Sequence, residues 1–232
     1  MGRQPKERRK RSWPVKRVLG LGSYETAWLM LHKLRRAMVR PGRDRLSGVI
    51  EIDETYIGGL EEGLKGRGAV SKALVVVATE VVEKKNGRIR LKRIADASAE
   101  NLEPFITESV EPGSTIRTDG WNGYNGVIDK GYKHKRIVLQ KRKQSAVVLM
   151  PYVHRVASLL KRWIIGTHQG AVNCDHLDYY LDEFTFRFNR RTSKSRGKLF
   201  FRLMQQATHS GHVEYKKIIK NIRGLSSGKH SR

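Results

Sequence analysis

The run ALVVVATEVVE, at residues 73–83, limits the fold of this chain most strongly. It is β-rich and nearly all apolar, which is typical of a central strand covered on both faces. The runs GVIEIDETYIGG at residues 48–59 and GRIRLKRIAD at residues 87–96 also read as strands, on either side of it. Asn86-Gly87 is a strong hairpin signal between two of these runs. The sequence therefore predicts three consecutive antiparallel strands.

The remainder of the chain adds two short strands and several helices. Ser98 can cap a helix that runs through Val110, and STIRTDGWNGY then gives a short strand that ends at Asp119. HKRIV, at residues 134–138, is the fifth strand. Helical periodicity follows at about 152–165, 173–189 and 196–207. This order predicts an α/β fold with a five-stranded mixed sheet flanked by helices. Spacing alone does not fix the order of the strands.

Four segments are expected along the chain. Residues 1–20 are basic and lack periodicity, which is typical of a flexible arm. Residues 21–45 contain a helix with Ser23 as its N-cap, either a remnant of a DNA-binding unit or a basic helix packed on the main domain. One helix cannot form a helix-turn-helix. The main domain spans residues 46–210, and residues 211–232 form a basic tail.

The charge of the chain indicates the class of its partner. Lys and Arg number 47 against 22 Asp and Glu, which gives a formal net charge of +25. A compact fold with this charge repels itself unless an anion binds it, so we expect nucleic acid as the partner. A ribosome-associated or merely basic protein is the alternative. Charge alone indicates no reaction.

Cysteine content and hydropathy exclude other classes. Cys174 is the only cysteine, which excludes a disulfide framework and a cysteine-based zinc ribbon. No apolar run approaches the roughly 20 residues that cross a bilayer, and the basic start is not followed by an apolar signal core. The sequence predicts a cytoplasmic protein with no membrane partner.

Two carboxylates stand where strands could present them to a ligand. Asp53 lies mid-strand among isoleucines, where an unpaired carboxylate is costly to bury unless a cation or hydrogen-bond donors compensate. Asp53 could instead face solvent. Asp119 follows a strand and precedes Gly120, where it could equally form a turn or cap a helix. Together on neighbouring strands, the two carboxylates could hold Mg²⁺.

A basic helix follows, and it offers no third carboxylate. From Gly131 to Cys174 there are nine Lys and Arg and no Asp or Glu. The segment PYVHRVASLLKRW places His154, Ser158 and Lys161 on one face, beside a stripe of apolar residues. The imidazole could ligate a metal or hydrogen-bond a phosphate, and the lysine could reach nucleic acid.

Four separated motifs give the chain a family resemblance. GVIEIDETYIGG, TDGWNGY, LLKRWIIGTHQGAV and HLDYYLDEFTFRFNRR resemble those of insertion-sequence transposases of the ISXO-like group, in family order, between about Gly22 and Ala207. The resemblance implies a ribonuclease-H-like catalytic domain of the DDE/D type. It also implies a DNA transposase that uses Mg²⁺ or Mn²⁺, with two ions, and that acts as a homo-oligomer on DNA at the bacterial nucleoid.

The resemblance also implies which residues are catalytic. Asp53 and Asp119 match the first two metal-binding positions, and His154 matches the third, seven residues before the basic Lys161. Members of the family generally have Glu or Asn where this chain has His154. Many also have an N-terminal zinc ribbon and a fuller helix-turn-helix, which are incomplete here.

These departures leave three hypotheses open. The first is an active transposase that cleaves element ends and transfers the strands to target DNA. The second is an impaired or truncated remnant that only binds DNA, and the third is a ribonuclease-H-like nuclease without strand transfer. Other motifs are weaker: residues 59–72 read as a flexible basic hairpin near DNA, His168 as a DNA contact or a loop residue, and the aromatic run near Phe184 as core.

Overall fold

The computed structural model describes residues 15–40, 42–58, 72–137, 149–168, 176–209, 211, 213 and 215–219. Most of the expected arm, nearly all of the glycine-rich hairpin and most of the basic tail lie outside these ranges. His168 is described only through its backbone, as the last residue of a helix. The chain divides into two compact units. One is Val39–Lys194, and the other combines Met1–Met38 with Ser195–Arg232.

The larger unit is built on a five-stranded sheet. Its strands are β1 Val49–Ile57, β2 Ala73–Val82, β3 Lys85–Ile94, β4 Thr115–Thr118 and β5 Lys133–Arg136. They lie in the order β3-β2-β1-β4-β5. β3, β2 and β1 are antiparallel neighbours, whereas β4 runs parallel to β1 and β5 runs parallel to β4. The predicted five-stranded mixed sheet is confirmed, and the structure supplies the strand order.

The helices follow the predicted positions closely. They are α1 Tyr24–Ala37, α2 Ala99–Ser109, α3 Pro151–His168, α4 Leu177–Asn189, α5 Arg196–His209 and α6 Tyr215–Ile219, with a 3₁₀ helix at Asn122–Lys130. α3 continues three residues beyond the predicted end at residue 165. No helix in the described ranges is long and apolar enough to span a bilayer.

Two apolar layers cover the sheet, one on each face. On one face, odd-numbered β2 residues such as Val75 and Val77 pack with α3 and α4. On the other, Ile50 and Ile52 of β1 pack with α2 and the 3₁₀ helix. Because side chains alternate along a strand, consecutive residues of β1 point into different layers. β2 is buried along nearly its whole length, as its apolar sequence predicts.

The predicted hairpin turn at Asn86-Gly87 is wrong. The β2–β3 turn is made by Glu83 and Lys84, both with positive φ (48° and 59°). Asn86 lies in β3, where its buried Nδ2 donates to the carbonyl of Tyr152 over 2.9 Å. An Asn-Gly pair favours a turn when nothing else competes for it. Here the distant hydrogen bond uses the Asn side chain, so the turn forms three residues earlier.

The smaller unit is helical and combines both ends of the chain. α1 packs against α5 and α6. Ser23 caps α1 as predicted, because its hydroxyl accepts from the backbone N–H of Glu25 over 3.0 Å. The buried face of α1 is not purely apolar, since Arg35 is buried while Met30 is 39% exposed.

Candidate active site

The site is built around the point where β4 ends beside β1. The two strands pair in parallel from Val49↔Thr115 to Glu51↔Arg117. Continuing this register by two residues sets Asp53 opposite Asp119, just past the end of β4. The two acids are expected to lie opposite each other because each is two residues beyond the last pair, Glu51↔Arg117. The sheet therefore places them side by side at its open end.

Asp53 faces the layer that contains α3, and there it meets His154. The Asp53 Oδ2 atom lies 3.6 Å from His154 Nδ1, and both side chains are about three-quarters buried. Oδ1 of Asp53 accepts from the backbone N–H of Glu54 over 2.9 Å. Burial raises the pKa of Asp53, and His154 and Lys161 oppose that rise through their charge. Asp119 reinforces it, which places a second negative charge nearby.

Asp119 forms the turn that the sequence left open as an alternative. Its Oδ1 accepts from the backbone N–H of Trp121 over 3.0 Å, and Gly120 has a φ of 90°, which glycine adopts without strain. Trp121 Nε1 donates to the carbonyl of Ala97 over 2.7 Å and secures the turn. The turn and a ligand role are compatible, because the contact uses one carboxylate oxygen.

Glu54 is a third carboxylate at this end of the sheet, and the sequence analysis missed it. It faces the opposite layer from Asp53, where it accepts a hydrogen bond from the Tyr124 hydroxyl. Burial, opposed by this hydrogen bond and reinforced by the charges of Asp53 and Asp119, raises the pKa of Glu54 to about 7. The charge of Asp119 thus adds to burial in raising the pKa of both Asp53 and Glu54.

Glu51 is a second residue that the sequence analysis missed. It is fully buried in β1, on the same face as Asp53, and its Oε2 accepts from the backbone N–H groups of Tyr152 and Val153 over 2.9 and 3.0 Å. These are N–H groups in the first turn of α3, which have no partner inside the helix. A carboxylate here also complements the helix dipole.

Arg117 completes this anchor. Its Nη1 lies 3.2 Å from Glu51 Oε1, and its Nη2 donates to the carbonyl of Leu149 over 3.0 Å. β1, β4 and the start of α3 are therefore joined by one buried polar network. His154 follows the anchored Val153 directly, so the network fixes the position of His154 relative to Asp53.

Lys161 lies two helical turns beyond His154 and is exposed. The apolar stripe predicted for this helix is confirmed, with Val153, Val156 and Leu160 buried at 1% exposure or less. Ser158 is exposed as well. The helix thus carries an exposed cation whose charge acts on Asp53, while its apolar face packs in the core.

The predicted metal trio is only partly assembled. Among the described residues, no group of three His, Cys, Asp or Glu side chains is arranged so that it could hold one ion. The donor chemistry nevertheless fits a divalent cation. Burial and the charge of Asp119 raise the pKa of both Asp53 and Glu54, and a bound cation would offset this cost of ionising the carboxylates.

Sequence patterning could have found one of the missed acids. Glu51 and Asp53 are two residues apart, so a strand places them on one face. The partners of Glu51 lie 101 and 102 residues away, which no local pattern reveals. Tyr124 lies 70 residues from Glu54, so that contact was equally hidden.

The larger unit is an α/β domain whose five-stranded mixed sheet has an apolar layer on each face and acids at one end. A sequence model of the ISXO2-like transposase domain matches residues 45–189, which is most of the larger unit. The chain belongs to this family, as the motif resemblance implies. Its five-stranded mixed sheet flanked by helices agrees with the α/β fold predicted from the sequence. No curated protein sequence matches the chain.

Solved structures similar to the chain are distant. One is a chain in the structure of the simian T-cell lymphotropic virus intasome in complex with PP2A regulatory subunit B56 gamma, with 12% identity, a TM-score of 0.34 and coverage of 72% of this protein. Another is the Mos1 transposase in a paired-end complex with the left transposon end, with 12% identity, a TM-score of 0.38 and coverage of 89%. The match spans 57% and 66% of the lengths of those two chains.

Proposed function

We propose that the protein is a DNA transposase that cleaves DNA at the ends of an insertion sequence and joins the freed 3′-hydroxyl to target DNA. One observation supports this above the others. Within an ISXO2-like transposase domain, Asp53 contacts His154 and lies close enough to Asp119 for the charge of Asp119 to raise its pKa. These are the three positions that the motifs assign to catalysis.

Asp53, Asp119 and His154 would hold Mg²⁺ or Mn²⁺, two ions in all, as DDE-type enzymes generally use divalent cations. When bound, the metal supplies activation of the attacking water or 3′-hydroxyl and stabilisation of the leaving oxygen. The residues of the chain do the rest. Lys161 would hold the phosphate backbone near the acids, and the buried Glu51 would keep His154 in place.

The same arrangement needs no covalent protein intermediate. The acids and the histidine position DNA and ions, so cleavage and joining use one site in succession. We further propose that copies of the protein assemble on paired DNA ends at the nucleoid of a bacterial cell.

The test is a product assay on a labelled duplex that contains an element end, incubated with the protein and Mg²⁺ or Mn²⁺. We expect nicked ends and joined products, read by sequencing. Asp53→Asn should abolish both, whereas Asp129→Asn, which removes the same charge from an exposed position of the 3₁₀ helix, should not. Cleavage without joined products would identify a nuclease instead.

A DNA-binding protein without catalysis is the second candidate. The absence of an assembled three-residue ligand group among the described residues, together with His154 at the third position, favours it. Wild-type protein that binds the duplex but gives no products in either metal would support this candidate and reject the first.

A further inference from the structure

The helical unit made from the two chain ends is the most basic described part of the molecule. Its described residues include one acid, Glu25, and ten Lys or Arg. The ten are Lys16, Arg17, Lys33, Arg35, Arg36, Arg196, Lys198, Arg202, Lys216 and Lys217. The described residues of the larger unit include 22 Lys or Arg against 16 acids. The positive charge is therefore concentrated in the smaller unit, away from the catalytic acids in sequence.

α5 exposes two aromatic rings in this basic setting. Phe200 and Phe201 are 64% and 63% exposed, although burying a phenylalanine side chain is normally favourable. Leu203 is the buried residue that fixes α5 on its unit. The two rings are therefore not part of the contact between α5 and the rest of its unit.

Each ring has a cation one helical turn before it. Arg196 precedes Phe200 by four residues, and Lys198 precedes Phe201 by three, spacings that make side chains neighbours on a helix. Arg202 is exposed beside them. Among residues 195–209 there is no acid. Exposed rings interleaved with cations can stack on bases while the cations neutralise phosphates.

We infer that the exposed surface of α5, defined by Arg196, Lys198, Phe200, Phe201 and Arg202, binds single-stranded DNA. Phenylalanine rings stack on the faces of bases, which are accessible only where DNA is unpaired. A second copy of this chain fits less well, because its formal net charge of +25 would set like charges against each other across the contact. The inference rests on the proposed function to the extent that cutting and joining of strands generates unpaired ends.

Fluorescence anisotropy with a labelled oligothymidine and with a labelled duplex tests this inference. Phe200→Ala/Phe201→Ala should weaken binding of the single strand by about 5- to 100-fold per ring. Binding of the duplex should change by less than about threefold, because paired bases offer no exposed faces. Ile128→Ala, at an exposed apolar residue of the larger unit, is the matched control and should change neither.

The cations are tested separately by salt dependence. Arg196→Gln/Lys198→Gln/Arg202→Gln should reduce the slope of log affinity against log salt for the single strand by about 2, at about 0.7 for each phosphate contact. Lys84→Gln/Lys85→Gln/Lys92→Gln removes the same charge from exposed positions at the β2–β3 turn and along β3, and should reduce the slope less.

Two results would overturn the inference. One is unchanged single-strand binding by the double phenylalanine variant with unaltered thermal unfolding. The other is loss of self-association in light scattering with unchanged DNA binding, which would make the exposed surface of α5 a contact with a second copy. A wild-type protein that binds no DNA at all would instead reject the proposed function.

Discussion

Three acids within four residues of β1 have different environments because the strand alternates. Glu51 is buried beneath α3, Asp53 meets His154, and Glu54 meets Tyr124 on the other face of the sheet. At the scale of single residues, the chemistry of the site follows from which layer each acid faces. Substitutions at single residues therefore test the role of each side chain separately.

As a proposed metal ligand, His154 would offer nitrogen where the family resemblance implies an oxygen. Mg²⁺ prefers oxygen ligands, whereas Mn²⁺ accepts nitrogen more readily. We expect wild-type cleavage to be faster in Mn²⁺ than in Mg²⁺, and His154→Glu to shift the preference toward Mg²⁺. The measurement is the initial cleavage rate in each metal. A His154→Ala variant as active as wild type in both metals would show that His154 has no catalytic role.

Glu51 should act on catalysis through His154. Glu51→Gln weakens the anchor of α3, so we expect at least about a tenfold loss of cleavage below the unfolding temperature. In a His154→Ala background the same substitution should have little further effect, which a double-mutant cycle of cleavage rates measures.

Glu80→Gln is the matched control for Glu51→Gln. It also removes a buried carboxylate from a neighbouring strand, but one that contacts Arg88 and Ser47 rather than α3. Equal losses of cleavage in the two variants, or additive effects of Glu51→Gln and His154→Ala, would make Glu51 a stability residue alone.

At the scale of elements, Glu80 joins β2 to β3 and to the start of β1. Its carboxylate accepts from Arg88 Nη2 over 2.7 Å and from the backbone N–H groups of Arg88 and Ser47 over 2.9 and 3.0 Å. Burial alone would raise the pKa of Glu80. The hydrogen bonds and the charge of Arg88 outweigh burial and lower the pKa below its ordinary value of 4.5.

A lowered pKa in the folded state makes the contribution of Glu80 depend on pH. That contribution is complete above the ordinary value and is lost as pH falls through the folded pKa. We expect Glu80→Gln to lower the free energy of unfolding by about 1–3 kcal/mol at pH 7, and by progressively less below about pH 4.5. Urea unfolding between pH 3 and 7.5 measures the difference.

The control for Glu80→Gln lies on the neighbouring layer. Glu108 pairs with Lys92 over 2.9 Å, but both side chains are about half exposed or more. Glu108→Gln should therefore cost less than about 1 kcal/mol. A cost for Glu80→Gln no greater than this, or one that grows toward acid pH, would contradict the account of the strand junction.

The elements themselves could be predicted because their signals are local. The apolar run of β2, the stripe of α3 and the cap at Ser23 each depend on neighbouring residues. The hairpin was misplaced because Asn86 is held by Tyr152, 66 residues away. Asn189, which pairs with both backbone groups of Ile89 across 100 residues, was likewise assigned no such role. Long-range polar contacts have no periodicity in the sequence.

At the scale of the whole molecule, charge dominates the expected behaviour. With a formal net charge of +25, DNA binding should release many counterions. If six or more phosphates are neutralised, affinity for a duplex should fall about a thousandfold between about 50 and 200 mM salt. Anisotropy titrations across that range measure the slope. An affinity that changes less than about threefold would contradict the electrostatic account.

The proposed reaction requires that Asp53 and Asp119 together bind a divalent cation. Electron paramagnetic resonance of Mn²⁺ titrated into the protein tests it without requiring activity. We predict binding by wild type and by Asp129→Asn, and at least about a tenfold weaker affinity in Asp53→Asn and in Asp119→Asn. Equal affinity in all four proteins would contradict the claim.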